Sequence, residues 1–258
     1  MRPVRFQHPL VKCIFPAWIL ACALLAASVF AADKDPAQML VEKADVIRLP
    51  RDSFQVEVAI VSTSPGKEAE ERKYRILSKG GENTVVITLE PAAERGQAML
   101  MKGRDLWIFL PSVSQPVRLS LAQRLTGQVA NGDLARANFS GDYTSTILKS
   151  ESINGESHHV LELVAVDKSV TYHRVLYWVR ESDGRPYRAE FYSLSERLLK
   201  SCRYENFQRL GGQIRPTRLV MEDALKQGEQ SILTYSNMQL KEISDKTFTK
   251  DYLKKLDI

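Results

Sequence analysis

The residues whose types could do chemistry in this chain are the adjacent pair His158-His159 and the thiol of Cys202. Imidazoles hold metals and move protons, and a thiolate attacks carbonyls and disulfides. Both neighbourhoods read as β-strand, and neighbours on a strand point to opposite faces, so two adjacent imidazoles cannot grip one ion. A metal site needs three or four converging ligands, and neither His173 nor any acidic cluster supplies them. Cys202 has no base near it in sequence, and a free thiol is most often simply packed. The chain has no G-x-S-x-G, and Ser64-Pro65-Gly66-Lys67 lacks the strand–GxxxxGK–helix setting of a phosphate loop. Asn138-Phe139-Ser140 has the form of a glycosylation sequon, a chance match beside a bacterial-type export signal. These absences predict no catalytic residue, no metal and no cofactor. A hydrolase or other enzyme is the disfavoured reading.

What remains is apolar surface. In 105–110, Leu106, Ile108 and Leu110 alternate with Trp107 and Phe109, so both faces are apolar. In 172–180, Leu176 and Trp178 share one face, and Val175, Tyr177 and Val179 share the other. Two accounts fit. A curved sheet can have its outer face covered by part of the chain, or its inner face can line a cavity that takes an acyl chain. Core and pocket lining look alike in sequence, so both accounts stand at this point.

The elements that position these residues follow from periodicity. Asp35 before Pro36 forms a helix start, and Met39, Leu40, Ala44 and Ile47 recur at helical spacing until Pro50 stops the run. From residue 53 the period becomes two. Phe54, Val56, Val58 and Ile60 alternate with less apolar neighbours up to the turn Ser64-Pro65-Gly66. Strands are expected at 72–78, 84–90, 97–102 and 105–110, then at 144–150, 157–166, 172–180, 187–194, 198–208, 214–223 and 231–240. Short polar turns such as Asn154-Gly155, Gly211-Gly212 and Gln227-Gly228 make this an antiparallel meander, too many strands for a flat sheet. Residues 111–142 break the rhythm and are too long for a hairpin loop, which marks a functional insertion. There the pattern predicts a short strand at 116–120 and then, from Leu121, Leu125 and Val129, a helical excursion to residue 138. Phe248, Tyr252, Leu253 and Leu256 predict a C-terminal helix within 244–256, capped by Thr247 or Thr249 and docked on the sheet.

The first residues read as an export signal over 1–31. Arg2, Arg5 and Lys12 precede an apolar run from Ile14 to Phe30, and Val29 and Ala31 fit a cleavage site before Ala32. The run is short for a membrane span of about 20 apolar residues, and it continues past Cys22, which disfavours a lipid-modified cysteine there. Removing this segment takes the formal charge from +5 to +2 and leaves Cys202 as the sole cysteine, without an internal disulfide. The remaining basic residues are scattered, which predicts no nucleic-acid partner. Residues 32–258 are expected to form one domain.

Several runs together resemble the LolA-like outer-membrane lipoprotein-sorting family. They are Asp105-Leu106-Trp107-Ile108-Phe109-Leu110-Pro111, Pro116-Val117-Arg118-Leu119-Ser120, Gln123-Arg124-Leu125 with Gly127-Gln128, Asn131-Gly132-Asp133-Leu134, and the ending Thr247-Phe248-Thr249 with Tyr252-Leu253. The resemblance covers about residues 35–256 and departs from many relatives at Asn131-Gly132-Asp133-Leu134 and Asn138-Phe139. It implies a mainly β fold, a curved antiparallel sheet forming an open half-barrel of about eleven strands capped by helices. It also implies a monomeric periplasmic carrier whose apolar cavity binds lipoprotein acyl chains or another lipid. The expected cavity or lid residues are Trp107, Phe109, Val117, Leu119, Leu121, Leu125 and Trp178. The alternative is an adaptor that docks on an envelope transporter of the RND type or another membrane protein without transferring cargo.

Overall fold

The Asp35 side chain accepts a hydrogen bond from the backbone N–H of Ala37 at 2.9 Å, which starts helix α1 (Pro36–Arg48). The structure, a computed structural model, describes residues 35–113, 115–136 and 138–254, so the export signal expected at 1–31 lies outside the described residues. The buried stripe of α1 is Ala37, Val41 and Ala44, with Leu40 packed at its margin. Met39, expected on that stripe, is 48% exposed. The i, i+4, i+7 spacing of the observed stripe is the helical period, shifted by one residue from the expected one.

Strands β1 (Phe54–Thr63), β2 (Glu70–Lys79), β3 (Asn83–Glu90), β4 (Ala98–Lys102), β5 (Asp105–Phe109) and β6 (Val117–Leu119) follow as a meander. After two short strands, β7 (Arg124–Thr126) and β8 (Val129–Ala130), come β9 (Tyr143–Ile153), β10 (Glu156–Ala165) and β11 (Arg174–Arg180). The run ends with β12 (Pro186–Tyr192), β13 (Leu198–Leu210), β14 (Gln213–Asp223) and β15 (Gln230–Leu240). Two meanders join where β1 pairs with β15, Val58 opposite Tyr235, into one antiparallel sheet ordered β6-β5-β4-β3-β2-β1-β15-β14-β13-β12-β11-β10-β9. Among the described residues the sheet has thirteen strands rather than about eleven. These thirteen match the strand candidates read from period and turns, whereas the lower figure came from the resemblance. The sheet is not closed, since β6 and β9 end it without pairing to each other. Register shifts at Gln55/Glu57, Lys73/Tyr74, Val160/Leu161, Trp178/Val179 and Phe191/Tyr192 add the local bend and twist that curl an open sheet.

Strand alternation separates two faces. Phe54, Val56, Val58, Ile60, Tyr74 and Ile76 belong to a large inner core shared with α1 and with residues 121–143. Leu77, Val85, Ile87, Ala98 and Leu100 point the other way and form an outer core with Ile243, Phe248 and Leu253. The C-terminal segment thus docks on the outer face. Among the described residues it is a short 3-10 turn at Asp245–Thr247 followed by α4 (Lys250–Leu253) rather than one continuous helix, and Leu256 lies outside them. Thr249 interrupts it, its side chain accepting from the Tyr252 N–H as the cap of α4. No helix among the described residues is long and apolar enough to cross a membrane.

The insertion departs from expectation at one point. β6 is present within the predicted strand at 116–120, but 121–130 is a hairpin of β7 and β8 rather than a helix. Helices α2 (Asn131–Ala135) and α3 (Phe139–Asp142) come only afterwards. The hairpin turns at Gly127, whose φ of +48° favours glycine. A Cβ at that position would lie 2.2 Å from Ser62 Oγ and 2.3 Å from Ser231 Oγ. The turn therefore packs directly on β1 and β15, and this tertiary contact overrides the helical spacing of Leu121, Leu125 and Val129.

Candidate functional site: the inner face and its cover

The inner face of an open half-barrel is the natural place for an apolar ligand, so its cover decides what it can do. Leu121, Val129, Ala130, Leu134, Ala135 and Phe139 press against the sheet from residues 121–143, beside the α1 stripe. The rim of this cover is fastened by polar contacts. Gln128 N–H donates to Ser231 Oγ at 2.9 Å, and Ser231 Oγ lies 2.8 Å from Ser62 Oγ. Lys200 Nζ on β13 lies 2.6 Å from Asp133 Oδ2 and also donates to the Gln128 carbonyl. The Tyr172 hydroxyl donates to Asp133 at 2.8 Å, and Asp133 accepts from the Ala130 N–H at 2.8 Å. Arg136 and Asp142 form a second buried pair, with Arg136 Nη1 donating to the Gly103 carbonyl at 2.7 Å. On the α1 side, Asp45 accepts from the Ser140 N–H at 2.7 Å, and Gln38 donates to the Ser140 carbonyl at 2.7 Å.

Beneath the cover the floor is aromatic and carries the guanidinium of Arg48. The Arg48 guanidinium lies 4.2 Å from the Phe139 ring centroid and 5.7 Å from that of Tyr204, and donates to Asp45 Oδ1 at 3.3 Å. Tyr177 packs edge-on to Phe139 at 5.4 Å and to Tyr204 at 6.0 Å. Its hydroxyl is buried without a hydrogen-bond partner among the described residues. Burial pushes the Asp45 carboxyl above its ordinary range, against the opposing pull of Arg48 and Ser140. Burial also pushes the Cys202 thiol up to about 12, so it carries no thiolate near neutral pH.

The space left between cover and floor is small. Voids of about 20 and 10 Å³ lie around Arg48 and Tyr204. Larger openings flank the cover. A groove of about 330 Å³ runs between the end of α1, the Gly80-Gly81 turn and α3, with Phe54, Ile76, Leu134 and Ala135 at its base. A second, of about 350 Å³, is lined by Tyr74, Met99, Ile108, Leu119 and Leu125. The inner face is thus filled by the chain itself, and room for an acyl chain requires the cover to shift.

The expected site residues divide between the faces. Leu121 is buried in the inner core, Leu119 and Leu125 pack against it and line the second groove, and Val117 is 48% exposed at the sheet edge. Trp107 and Phe109 pack instead on the outer core, with Lys250 Nζ 4.3 Å from the Trp107 ring. Trp178 lies on the face opposite Tyr177, where its indole N–H donates to Glu151 at 2.7 Å and Arg188 stacks at 4.9 Å. The structure does not bring these three aromatics to the inner face. Their size suits a cavity wall, but strand alternation from Leu106 and Val175 places them opposite the inner core residues. Floor and cover residues that sequence patterning does not single out are Arg48, Tyr204, Tyr235, Asp133 and Lys200. For the two tyrosines the available signal was their in-facing phase on β13 and β15; for the charged residues local sequence holds none.

The adjacent histidines separate as strand geometry requires. His158 is buried against Tyr187, and His159 faces Ser150 and Glu181 at the surface. No group of three or more His, Cys, Asp or Glu side chains able to hold a metal occurs among the described residues.

Residues 80–255 match a family described as "Uncharacterized protein". No curated protein matches the chain. A LolA superfamily protein from Nitrosomonas europaea has 62% identity over 84% of this chain and 98% of its own, with a TM-score of 0.81. A DUF1329 family protein from Desulfovibrio piger, at 22% identity, covers 84% of this chain and 97% of its own with a TM-score of 0.72. A domain from Vibrio parahaemolyticus described as an outer membrane lipoprotein-sorting protein, also at 22% identity, covers 85% and 98% with a TM-score of 0.71. The last two share the fold, and the first shares both fold and sequence over 84% of this chain: this chain belongs to the LolA superfamily.

Proposed function

We propose that this protein is a periplasmic carrier that shelters an acyl chain, from a lipoprotein or another lipid, between the inner face of its open sheet and a cover made of α1 and residues 121–142. One observation carries the reading: the apolar inner face is covered by a separate segment whose rim is fastened by polar contacts rather than by further strands. Such a cover can exchange its contacts with water when it lifts, so the closed and open states can lie a few kcal/mol apart. Each buried methylene contributes about 0.8 kcal/mol, so part of one acyl chain is enough to favour the open state. The sorting function named for the Vibrio domain and the export signal expected at 1–31 support the same reading. Lipoprotein acyl chains are the expected cargo, and a membrane-protein donor or acceptor the expected partner.

Native mass spectrometry of protein purified from a cell envelope tests this. Bound lipid at near-unit stoichiometry is the expected result. Lipid-free protein that retains a stoichiometric protein partner would instead identify an adaptor, the reading favoured by the small size of the voids beneath the cover.

A further inference from the structure

Arg48 is unusual for the floor of an apolar site. Its side chain is 10% exposed and sits among the in-facing rings of Tyr177, Tyr204 and Tyr235, which are all buried on the inner face. A guanidinium offers five N–H donors in a planar fork matched to carboxylate and phosphate oxygens. Here the contact to its carboxylate neighbour is one long bond, Nη1 to Asp45 Oδ1 at 3.3 Å, rather than a parallel pair. The Phe139 ring occupies the guanidinium face at 4.2 Å. Beside it the Tyr177 hydroxyl, fully buried, makes no well-formed hydrogen bond among the described residues, with the Arg48 guanidinium its polar neighbour. A buried hydroxyl without a partner is costly and calls for an explanation. The two voids of about 20 and 10 Å³ both abut Arg48 and Tyr204.

The element that closes this spot is the cover. Phe139 and Ser140 belong to α3, and the Ser140 N–H is a donor to Asp45. Movement of α3 away from the sheet removes the ring from Arg48 and the backbone donor from Asp45 together. It leaves a cation and a phenol hydroxyl at the base of an apolar trough. An uncharged ester would leave the guanidinium with only its single long bond to Asp45 in that setting, whereas an anionic head group would fill its remaining donors and accept from Tyr177.

Resting on the carrier reading, we infer that the ligand is an acyl lipid with an anionic head group, a carboxylate or a phosphate, seated on Arg48 and Tyr177 with its chain along the inner face. The two sources of that chemistry are a free fatty acid and a phospholipid.

The test is fluorescence titration with 11-(dansylamino)undecanoic acid and with its methyl ester, followed by displacement with palmitate or lysophosphatidate. The acid is expected to bind at least about tenfold more tightly than the ester, the range of a charge-assisted hydrogen bond. Arg48→Gln should abolish that preference. Tyr177→Phe should narrow it with a melting temperature equal to or above that of wild type, since it removes a buried hydroxyl that has no partner among the described residues. Tyr177→Phe keeps the test decisive if Arg48→Gln fails to fold. Stronger displacement by palmitate assigns a fatty acid, and stronger displacement by lysophosphatidate assigns a phospholipid. Equal binding of acid and ester, or a preference untouched in a folded variant, overturns the anionic head group and leaves the carrier reading intact. Binding of neither probe overturns both.

Discussion

Lys200 Nζ on β13 and Asp133 Oδ2 on α2 lie 2.6 Å apart with side chains only 6% and 7% exposed, so the cover is tied to the sheet by a buried ion pair. Burying two charges is expensive, and removing one of them strands the other. Lys200→Met is therefore expected to cost about 3–5 kcal/mol in urea unfolding. The double replacement Lys200→Met with Asp133→Leu should recover most of that loss, because neither charge then remains. A double variant as unstable as the single one would show that the pair contributes through something other than mutual compensation.

The hairpin turn offers a second check on how the cover is seated. Gly127→Ala meets Ser62 and Ser231 within 2.3 Å and has φ of +48°. Gly66→Ala has a similar strained φ of +73° but open space around it. The first should cost clearly more than the roughly 1 kcal/mol expected of the second. Equal melting temperatures for the two variants would mean that the turn does not rest on β1 and β15.

Asp45 should leave a signature in pH dependence. Its folded carboxyl is raised above the ordinary 3.8 by burial. The stability linked to it is then full below that value and is lost as pH rises through the folded one. Asp45→Asn, which mimics the protonated form, should gain stability relative to wild type as pH rises from below 3.8. Chemical denaturation of both proteins across that range measures the difference. A relative loss by the variant would mean that Arg48 and the Ser140 N–H outweigh burial.

The division of the expected site residues between faces is also testable. Leu125→Asp places a charge in the groove on the inner side and should weaken acyl-probe binding. Trp178→Phe, on the opposite face, should leave binding unchanged while losing the bond to Glu151. Melting temperatures measured alongside separate lost binding from lost folding. Reduced binding by a normally melting Trp178→Phe would place the ligand on the outer face.

Much of the fold was legible because it rests on local rules. Asp35-Pro36 starts α1, Pro50 follows its end, and the alternation of Phe54, Val56, Val58 and Ile60 marks β1 and its in-facing side. The cover was legible as an insertion but not in conformation. Leu121, Leu125 and Val129 have helical spacing, and only Ser62 and Ser231, far away in sequence, hold Gly127 in a turn. The floor was the least legible part. Arg48 reads as an ordinary basic residue ending a helix, and what distinguishes it is Phe139 and Tyr204, brought there from segments remote in the chain. Large aromatics such as Trp107 attract a cavity reading by size, yet the outer face also needs apolar covering where the C-terminal segment docks.

Hydrogen–deuterium exchange with and without the dansylated acyl probe tests the central claim most directly. A carrier that opens to admit its ligand predicts faster exchange across 121–142 when the probe is bound. It also predicts slower exchange on the in-facing strands β1, β13 and β15. Probe binding with unchanged exchange in 121–142, or no binding at all, would contradict a cover that yields to cargo.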